Sequence, residues 1–264
     1  MIECWINGSE STTLSVFDRG LSYGDGLFTT ALIVAGKIQY LEQHIERLIT
    51  GCQQLGIVLN DVEKLIQQIE QIALRYELNV LKVVITAGVG GRGYSRNGAG
   101  KPTVVISVFP YPEHYQEWQN KGVVLAKAET KLGIQPLLAG IKHLNRLEQV
   151  LVRKELDNIE ADDVLVCDIN NKIIETSCAN VFWLSKGIIY TPKLDQAGVA
   201  GIMRDKLLKL LPEVNLVTMD AKVLEEAEEI WLCNSLMGIV PVKNFVGRPL
   251  NMEQAKALQR LINQ

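Results

Sequence analysis

Lys142 is the residue of this sequence whose side chain could carry covalent chemistry. It precedes a run of apolar residues at helical spacing and lies close to Arg146. The positive end of a helix dipole and a neighbouring guanidinium both disfavour an ammonium ion, so we expect a lowered pKa and an amine able to form a Schiff base. Taken by itself, the residue pattern favours the alternative, a solvated lysine at a helix terminus.

Glycines directly before another predicted helix, in the segment Gly198–Arg204, could bind an anion such as phosphate. The segment matches neither a Walker motif nor the dinucleotide fingerprint, and a plain turn is the alternative. Ser235 after a predicted strand and Arg47 on a predicted helix could add a hydroxyl and a guanidinium donor. For Arg47, a surface ion pair with Glu42 or Glu46 is the alternative.

Glu175 lies in a predicted strand, Lys172–Thr176, in mostly apolar company. A carboxylate in such surroundings needs an arginine or a protonated ring nitrogen as partner, unless it faces outward from the strand. The glycine-rich loop Gly90–Arg96 contains Arg92 and Tyr94. Flexible backbone with arginines suits recognition of a carboxylate-bearing substrate, and a solvated hairpin loop is the alternative.

The composition is that of a globular protein, with 264 residues, 47% of them apolar and 22% charged, and a net charge of -3. Because basic residues do not outnumber acidic ones, we do not expect sequence-independent binding to nucleic acid. The apolar runs are too short to cross a bilayer, and the start lacks the features of a secretory signal, so we expect a cytoplasmic protein. Five scattered cysteines and three scattered histidines support neither a disulfide framework nor a metal site.

The hydrophobic pattern predicts two α+β domains, at 1–112 and 123–264, joined by a linker at 113–122. Short, hairpin-linked strands favour mixed or antiparallel sheets over a doubly wound parallel sheet. In the N-terminal domain the pattern predicts strands at 3–7, 13–17, 27–34, 37–40, 81–87 and 103–109, and helices at 41–55 and 62–73. In the C-terminal domain it predicts strands at 123–128, 163–168, 172–176, 180–184, 188–190, 216–220 and 230–234, and helices at 144–156, at 202–211, between 220 and 230, and from 252.

Over nearly its whole length the sequence resembles the fold-type IV pyridoxal-phosphate enzymes. The resemblance is strongest in Phe17–Thr30, Gly140–Gln149 and Thr191–Arg204, and the segment 173–182 resembles the glutamate-bearing hairpin of that family. Within the family, residues 141–149 are most similar to the 4-amino-4-deoxychorismate lyases. The resemblance implies a two-domain α+β fold with a smaller N-terminal α/β sandwich and a larger C-terminal mixed-sheet domain. It also implies a homodimer, with loops of the partner copy near the active site.

Carried over position by position, the resemblance implies that Lys142 holds pyridoxal 5'-phosphate as an internal aldimine and later moves a proton. Glu175 would pair with the pyridinium nitrogen. The other implied cofactor-binding residues are Arg47, Asn180, Ile202, Met203 and Ser235, of which Ile202 and Met203 would use only their N–H groups. The implied substrate-binding residues are Arg92, Phe28 and Tyr94. Strand alternation puts Phe28 and Thr30 on one face, which the resemblance implies is the cofactor side, and we assign the Thr30 hydroxyl a catalytic role.

The activity implied is conversion of 4-amino-4-deoxychorismate to 4-aminobenzoate, a folate precursor, and pyruvate. A D-amino-acid or branched-chain aminotransferase on the same scaffold is the alternative. A non-catalytic protein that binds a phosphate or a vitamer is a third reading, which an intact Lys142 and Glu175 argue against.

Overall fold

The structure, a computed structural model, describes residues 1–262, and its contacts divide the chain into two compact units. The first unit consists of Met1–Pro112 together with Lys142–Asn145. The second consists of Glu113–Ile141 and the residues from Arg146 onward. The short segment that contains Lys142 therefore belongs by its contacts to the N-terminal unit, whereas the sequence predicted it within the C-terminal domain.

The first unit is an antiparallel sheet with helices. Its strands are β1 (Glu3–Ile6), β2 (Ser9–Glu10), β3 (Gly26–Val34), β4 (Lys37–Ile38), β5 (Leu78–Thr86) and β6 (Thr103–Pro110), in the order β2-β1-β6-β5-β3-β4. Its helices are α1 (Arg19–Tyr23), α2 (Leu41–Leu55) and α3 (Val62–Ala73). The predicted helices α2 and α3 are confirmed, because their apolar residues repeat at helical spacing and are buried.

Strand β3 has two different faces. Leu27, Thr29, Ala31 and Ile33 are buried, while the residues between them are half-buried. Helix α2 packs on β3, so the buried face is the helix side of the sheet. Phe28 and Thr30 consequently share the opposite face, as strand alternation predicted.

The predicted strand at 13–17 is wrong. The Ser11 hydroxyl accepts the Thr13 N–H at 3.1 Å and the Ser15 hydroxyl accepts the Phe17 N–H at 3.2 Å, and such local bonds compete with strand pairing. Helix α1 follows instead. Its N-cap is Asp18, whose carboxylate accepts the Gly20 N–H at 2.8 Å.

The second unit is built on a mixed sheet. Its strands are β7 (Val123–Lys127), β8 (Asp163–Cys167), β9 (Ile173–Thr176), β10 (Asn180–Ser185), β11 (Ile188–Pro192), β12 (Asn215–Val217), β13 (Glu229–Asn234), β14 (Gly238–Phe245) and β15 (Arg248–Pro249). The order is β12-β11-β10-β13-β14-β7-β8-β9, with β15 on β14. Its helices are α4 (His114–Lys121), α5 (Leu147–Leu156), α6 (Ile202–Leu210) and α7 (Glu253–Ile262), with a 3₁₀ helix at Ala221–Glu226.

Three features of this unit differ from the sequence prediction. The stretch 113–122, predicted as a linker, contains helix α4, which packs on β14. The pattern predicted no strand at β14, because Pro241 lies in its middle and a proline normally argues against a central strand. The predicted helix at 144–156 begins only at Leu147, and its buried residues are Val152 and Leu156.

Two absences within the described residues concern membrane and metal binding. No helix within residues 1–262 is long and apolar enough to span a membrane. In the same residues no three or more His, Cys, Asp or Glu side chains are grouped so as to hold a metal ion.

Candidate active site

A short antiparallel pairing with β3 fixes the position of Lys142. The Phe28 N–H donates to the carbonyl of Lys142 at 2.9 Å, and the Leu144 N–H donates to the carbonyl of Gly26 at 2.9 Å. Leu27 pairs with His143 in the same antiparallel bridge. In this register Lys142 lies directly opposite Phe28 on the sheet.

The helix-terminus argument for Lys142 is therefore wrong. Residues 142–144 pair with β3, and helix α5 begins only at Leu147. The close approach depends on Gly26, since a Cβ there would collide with the Ile85 carbonyl oxygen and lie 2.8 Å from a methyl carbon of Leu144. A backbone pairing, rather than a helix dipole, positions this amine.

The Lys142 amine lies against an aromatic ring. Its Nζ is 4.7 Å from the centroid of the Phe28 ring, within the range of a cation–π contact. Thr30, two residues further along β3, is half-buried on the same face. The structure thus brings together three of the predicted site residues: Lys142, Phe28 and Thr30.

A buried histidine links β3 to helix α2 behind this face. Thr29 Oγ1 and His44 Nδ1 are 2.6 Å apart, and both side chains are buried. Burial, and to a lesser degree the charges of Arg47 and Lys142, lower the pKa of His44 to about 3. His44 is therefore a neutral imidazole at neutral pH. Arg47, a predicted phosphate ligand, follows it by one turn of α2.

This histidine should make the stability of the protein depend on pH. Its folded pKa is depressed, so between pH 6.5 and about 3 the unfolded chain binds a proton that the folded chain excludes. The free energy of unfolding is expected to fall below pH 6.5 with a slope approaching about 1.4 kcal/mol per pH unit. Urea denaturation of the wild type and His44→Asn at several pH values measures the difference in slope.

Asparagine can keep an acceptor or donor near Thr29 but does not titrate in this range. His114→Asn is the matched control, because His114 is exposed on α4 and the substitution is the same. Equal slopes for the wild type and His44→Asn would contradict the buried neutral imidazole.

Glu175 lies in the second unit, buried in strand β9 with 7% of its surface exposed, so the outward-facing alternative is wrong. Its Oε2 accepts the Val199 N–H at 2.9 Å. Asn180, at the start of β10, donates from Nδ2 to the Val199 carbonyl at 2.8 Å. Glu175 and Asn180, both predicted to bind the cofactor, thus bind the backbone of Val199 in the loop that leads to α6.

The positive charge of the Arg146 guanidinium interacts with the Glu175 carboxylate. Burial lowers the pKa of Arg146, and the charge of Glu175 acts in the opposite direction. Arg146 also donates to the carbonyl of Ile141 at 3.0 Å. The apolar neighbours of β9 predicted that Glu175 would need a positive partner, and Arg146 is one such partner within this unit.

The start of helix α6 has the features expected of an anion site. Its N-cap is Gly201, which has no side chain to satisfy the first N–H groups, and Ile202 and Met203 follow with buried side chains. A Cβ on Gly201 would collide with the Asn180 amide, so a larger N-cap residue would not fit. Ser235, also predicted for the phosphate, is half-buried just after β13.

Two arginines anchor the glycine-rich loop at 88–100. Arg19, 2% exposed, donates to the loop carbonyls at positions 93, 94 and 95, at 3.2, 3.0 and 2.9 Å. Asp25 accepts from Arg19 Nε at 2.8 Å and also forms an ion pair with Arg96. The predicted substrate ligands Arg92 and Tyr94 are exposed on this loop, with Tyr94 at 90%.

Asp25→Asn should release this loop. Burial raises the pKa of the Asp25 carboxyl, but bonds to Arg96 and Arg19 outweigh it and hold that pKa below the usual 3.8. The two ion pairs of Asp25 therefore stabilise the folded protein at neutral pH. This stability is lost as the pH falls through the pKa that Asp25 has in the folded protein. We expect Asp25→Asn to cost about 2 kcal/mol at pH 7 and to speed proteolysis within 88–100.

The measurements are urea denaturation and limited proteolysis followed by mass spectrometry. Asp61→Asn is the control, because Asp61 is exposed before α3 and its side chain does not cap that helix. Unchanged cleavage of the loop in Asp25→Asn would show that other contacts hold it.

The chain and its fold correspond to a known class of enzymes. The chain belongs to the class IV amino-transferase family, whose pattern matches residues 26–245. The aminodeoxychorismate lyase of Vibrio harveyi is 41% identical over 245 residues, covering 91% of this chain and 90% of the relative. The crystal structure of 4-amino-4-deoxychorismate lyase from Pseudomonas aeruginosa has a TM-score of 0.93 at 36% identity, with 98% of both chains covered.

More distant members carry another activity in their names. The D-alanine aminotransferase of Staphylococcus aureus strain MSSA476 is 26% identical over 95% of this chain and 92% of its own. The branched-chain amino acid aminotransferase of Escherichia coli, 20% identical with a TM-score of 0.87 over 99% and 93% of the two chains, shares the fold. These similarities confirm the α+β fold and the fold-type IV resemblance.

Sequence reasoning missed two residues beside Lys142. His44 lies one turn from Leu48 on the apolar stripe of α2, and that spacing was a usable signal of burial. Lys82 lies on β5 next to Thr30, but its place there depends on the register of two strands. No local pattern specifies that register.

Proposed function

We propose that this protein is a lyase that converts 4-amino-4-deoxychorismate to 4-aminobenzoate and pyruvate, with pyridoxal 5'-phosphate as cofactor and as a homodimer. The observation that carries the proposal is the Lys142 amine held over Phe28 by backbone pairing with β3. Aminodeoxychorismate lyases among the relatives support this reaction over amino transfer.

The residues present fit this cofactor. A primary amine, a buried carboxylate and a helix start whose N-cap is Gly201 match the aldehyde, ring nitrogen and phosphate of pyridoxal phosphate. When bound, the cofactor supplies a carbon that bonds covalently to an amine and a protonated ring that takes up an electron pair.

Lys142 would act twice in this reaction. Its amine would hold the cofactor until the substrate binds. Nζ would then accept the proton from the ring carbon that carries the substrate nitrogen. Cleavage of the bond between the neighbouring ring carbon and the ether oxygen would release enolpyruvate, which takes up one proton at its methylene carbon to become pyruvate, and would leave an aromatic ring. Thr30, on the same face, is the proposed hydroxyl beside the substrate.

Glu175 and the anion-binding groups would hold the cofactor in place. The Glu175 carboxylate, fixed by the Val199 N–H, would keep a proton on the ring nitrogen. The phosphate would be bound by the N–H groups of Ile202 and Met203 and by the side chains of Arg47 and Ser235. Asn180 would support them by holding the loop before α6.

Exposed apolar residues support the homodimer. Leu147, Val150 and Leu151 of α5 are 71%, 59% and 48% exposed. A second copy would shield them from water. By the family resemblance, loops of the partner copy would lie near the active site.

The test is to incubate the purified, cofactor-loaded protein with 4-amino-4-deoxychorismate and to quantify 4-aminobenzoate and pyruvate. Equimolar, catalytic formation of both products is expected. A parallel incubation with D-alanine and a 2-oxo acid tests the aminotransferase alternative. Multiple turnovers of amino transfer without 4-aminobenzoate formation would reject the lyase and favour that alternative.

A further inference from the structure

His44 is a buried polar side chain for which the proposed reaction has no use. Its Nδ1 is 2.6 Å from Thr29 Oγ1, and each of the two residues is only 2% exposed. Its Nε2 is buried as well, and within residues 1–262 that atom has no hydrogen-bond partner. Burying an imidazole that satisfies only one of its two nitrogens costs free energy that an apolar side chain would not cost. We therefore expect His44 to serve a purpose other than stability.

The bond between His44 and Thr29 joins helix α2 to strand β3 in one orientation. The other buried residues of α2 include Ile45, Leu48 and Cys52, whose apolar contacts have no preferred direction. A hydrogen bond, in contrast, needs a narrow range of distances and angles. The bond to Thr29 therefore fixes the rotation of α2 about its own axis relative to β3.

Each of the two joined elements holds a cationic residue predicted to bind the cofactor. Arg47 follows His44 by three residues, which places it about 4.5 Å further along the axis of α2. Lys142 is held to β3, because its carbonyl accepts the N–H of Phe28, the residue before Thr29. After burial, the charges of Arg47 and Lys142 are the next causes that lower the pKa of His44, so both cations act on this ring.

We propose that His44 is a positioning residue that, through its bond to Thr29, keeps Arg47 at the distance from Lys142 that the cofactor phosphate requires. This inference rests on the proposed function. The aldehyde and the phosphate of pyridoxal 5'-phosphate are attached to one small rigid ring, so the groups that bind them must keep a fixed spacing. A rotation of α2 would displace the long Arg47 side chain and leave the Lys142 amine in place.

The experiment titrates the full-length chain, freed of cofactor, with pyridoxal 5'-phosphate and with pyridoxal, which lacks the phosphate. The dissociation constant of pyridoxal divided by that of pyridoxal 5'-phosphate gives the phosphate preference. His44→Leu and Thr29→Val each remove the bond, and we expect each to lower this preference about 10-fold while the affinity for pyridoxal stays unchanged. The double variant should lose no more than either single variant, because both substitutions remove the same interaction. Thr29→Ser keeps the hydroxyl and should bind both ligands like the wild type.

Thr103→Val is the matched control. Thr103 is 4% exposed on β6, and its hydroxyl donates to the Asp18 carboxylate at 2.8 Å, so this substitution also removes a buried threonine bond without touching α2. Its phosphate preference should equal that of the wild type. Two results would overturn the proposal: an unchanged preference in both His44→Leu and Thr29→Val, and an equal loss of affinity for both ligands, which indicates a structural role.

Two further measurements separate this inference from the proposed function. Arg47→Met tests the phosphate contact itself and should also lower the phosphate preference. If it does so while His44→Leu and Thr29→Val bind like the wild type, the positioning role of His44 alone is rejected. Turnover of 4-amino-4-deoxychorismate by the wild type is measured in parallel. A preference that depends on the Thr29–His44 bond, found without such turnover, rejects the lyase alone.

Discussion

Lys142→Ala is expected to slow conversion of 4-amino-4-deoxychorismate by about 10⁴-fold or more, because it removes both the amine that holds the cofactor and the base that accepts the proton. The fold should persist, since the bond between β3 and residue 142 uses the backbone carbonyl. Activity is measured as 4-aminobenzoate formed per enzyme. Thermal unfolding monitors the fold.

Borohydride supplies an independent readout for the same variant. In the wild type it should leave pyridoxal phosphate permanently attached to the peptide that contains Lys142, as mass spectrometry would detect. Lys154→Ala is the matched control, because Lys154 is exposed on α5 and its loss should affect neither the attachment nor the rate. Wild-type turnover by Lys142→Ala would rule out the covalent mechanism.

Glu175→Gln is expected to lower kcat by about 10²- to 10³-fold, an effect comparable to the loss of one electrostatic contact to developing charge. Glutamine can still accept the Val199 N–H, so the loop before α6 should keep its position. A neutral glutamine carries no charge that could keep a proton on the ring nitrogen of the cofactor. The substitution also removes the negative charge that acts on the Arg146 guanidinium. The kcat and the absorption spectrum of cofactor-loaded Glu175→Gln are compared with those of the wild type.

Glu213→Gln supplies the control, since Glu213 is exposed in the second unit and the charge change is the same. The spectrum of Glu175→Gln should shift while that of Glu213→Gln matches the wild type. A Glu175→Gln protein with wild-type kcat and spectrum would show that this carboxylate does not contact the cofactor ring.

The sequence predicted elements whose pattern is local. β3 and α2 follow from alternation and from helical spacing, whereas the apolar neighbours of Glu175 left open whether its carboxylate is buried or faces outward. The roles of Glu175 and of Lys142 remain predictions. For Lys142 the helix start that suggested a lowered pKa is absent from the structure, and the prediction depends on the resemblance to the fold-type IV enzymes.

What could not be predicted depends on contacts between distant segments. The pairing of Leu27 with His143, and that of Thr30 with Lys82, are fixed by the register of strands far apart in sequence. Lys82 in isolation looks like an ordinary polar residue of an alternating strand. The wrong strand at 13–17 has a different cause, since serine hydroxyls at Ser11 and Ser15 bind backbone N–H groups that a strand would need.

The backbone pairing of residues 142–144 with β3 also bears on how the chain is made. During synthesis β3 leaves the ribosome well before residue 142. Until that residue follows, the Gly26 carbonyl and the Phe28 N–H lack the hydrogen-bond partners that they have in the folded protein. The first unit is complete only when part of the second has been translated. A nascent chain that has reached Pro112 therefore exposes an open sheet edge, the kind of edge on which unfinished polypeptides pair with one another.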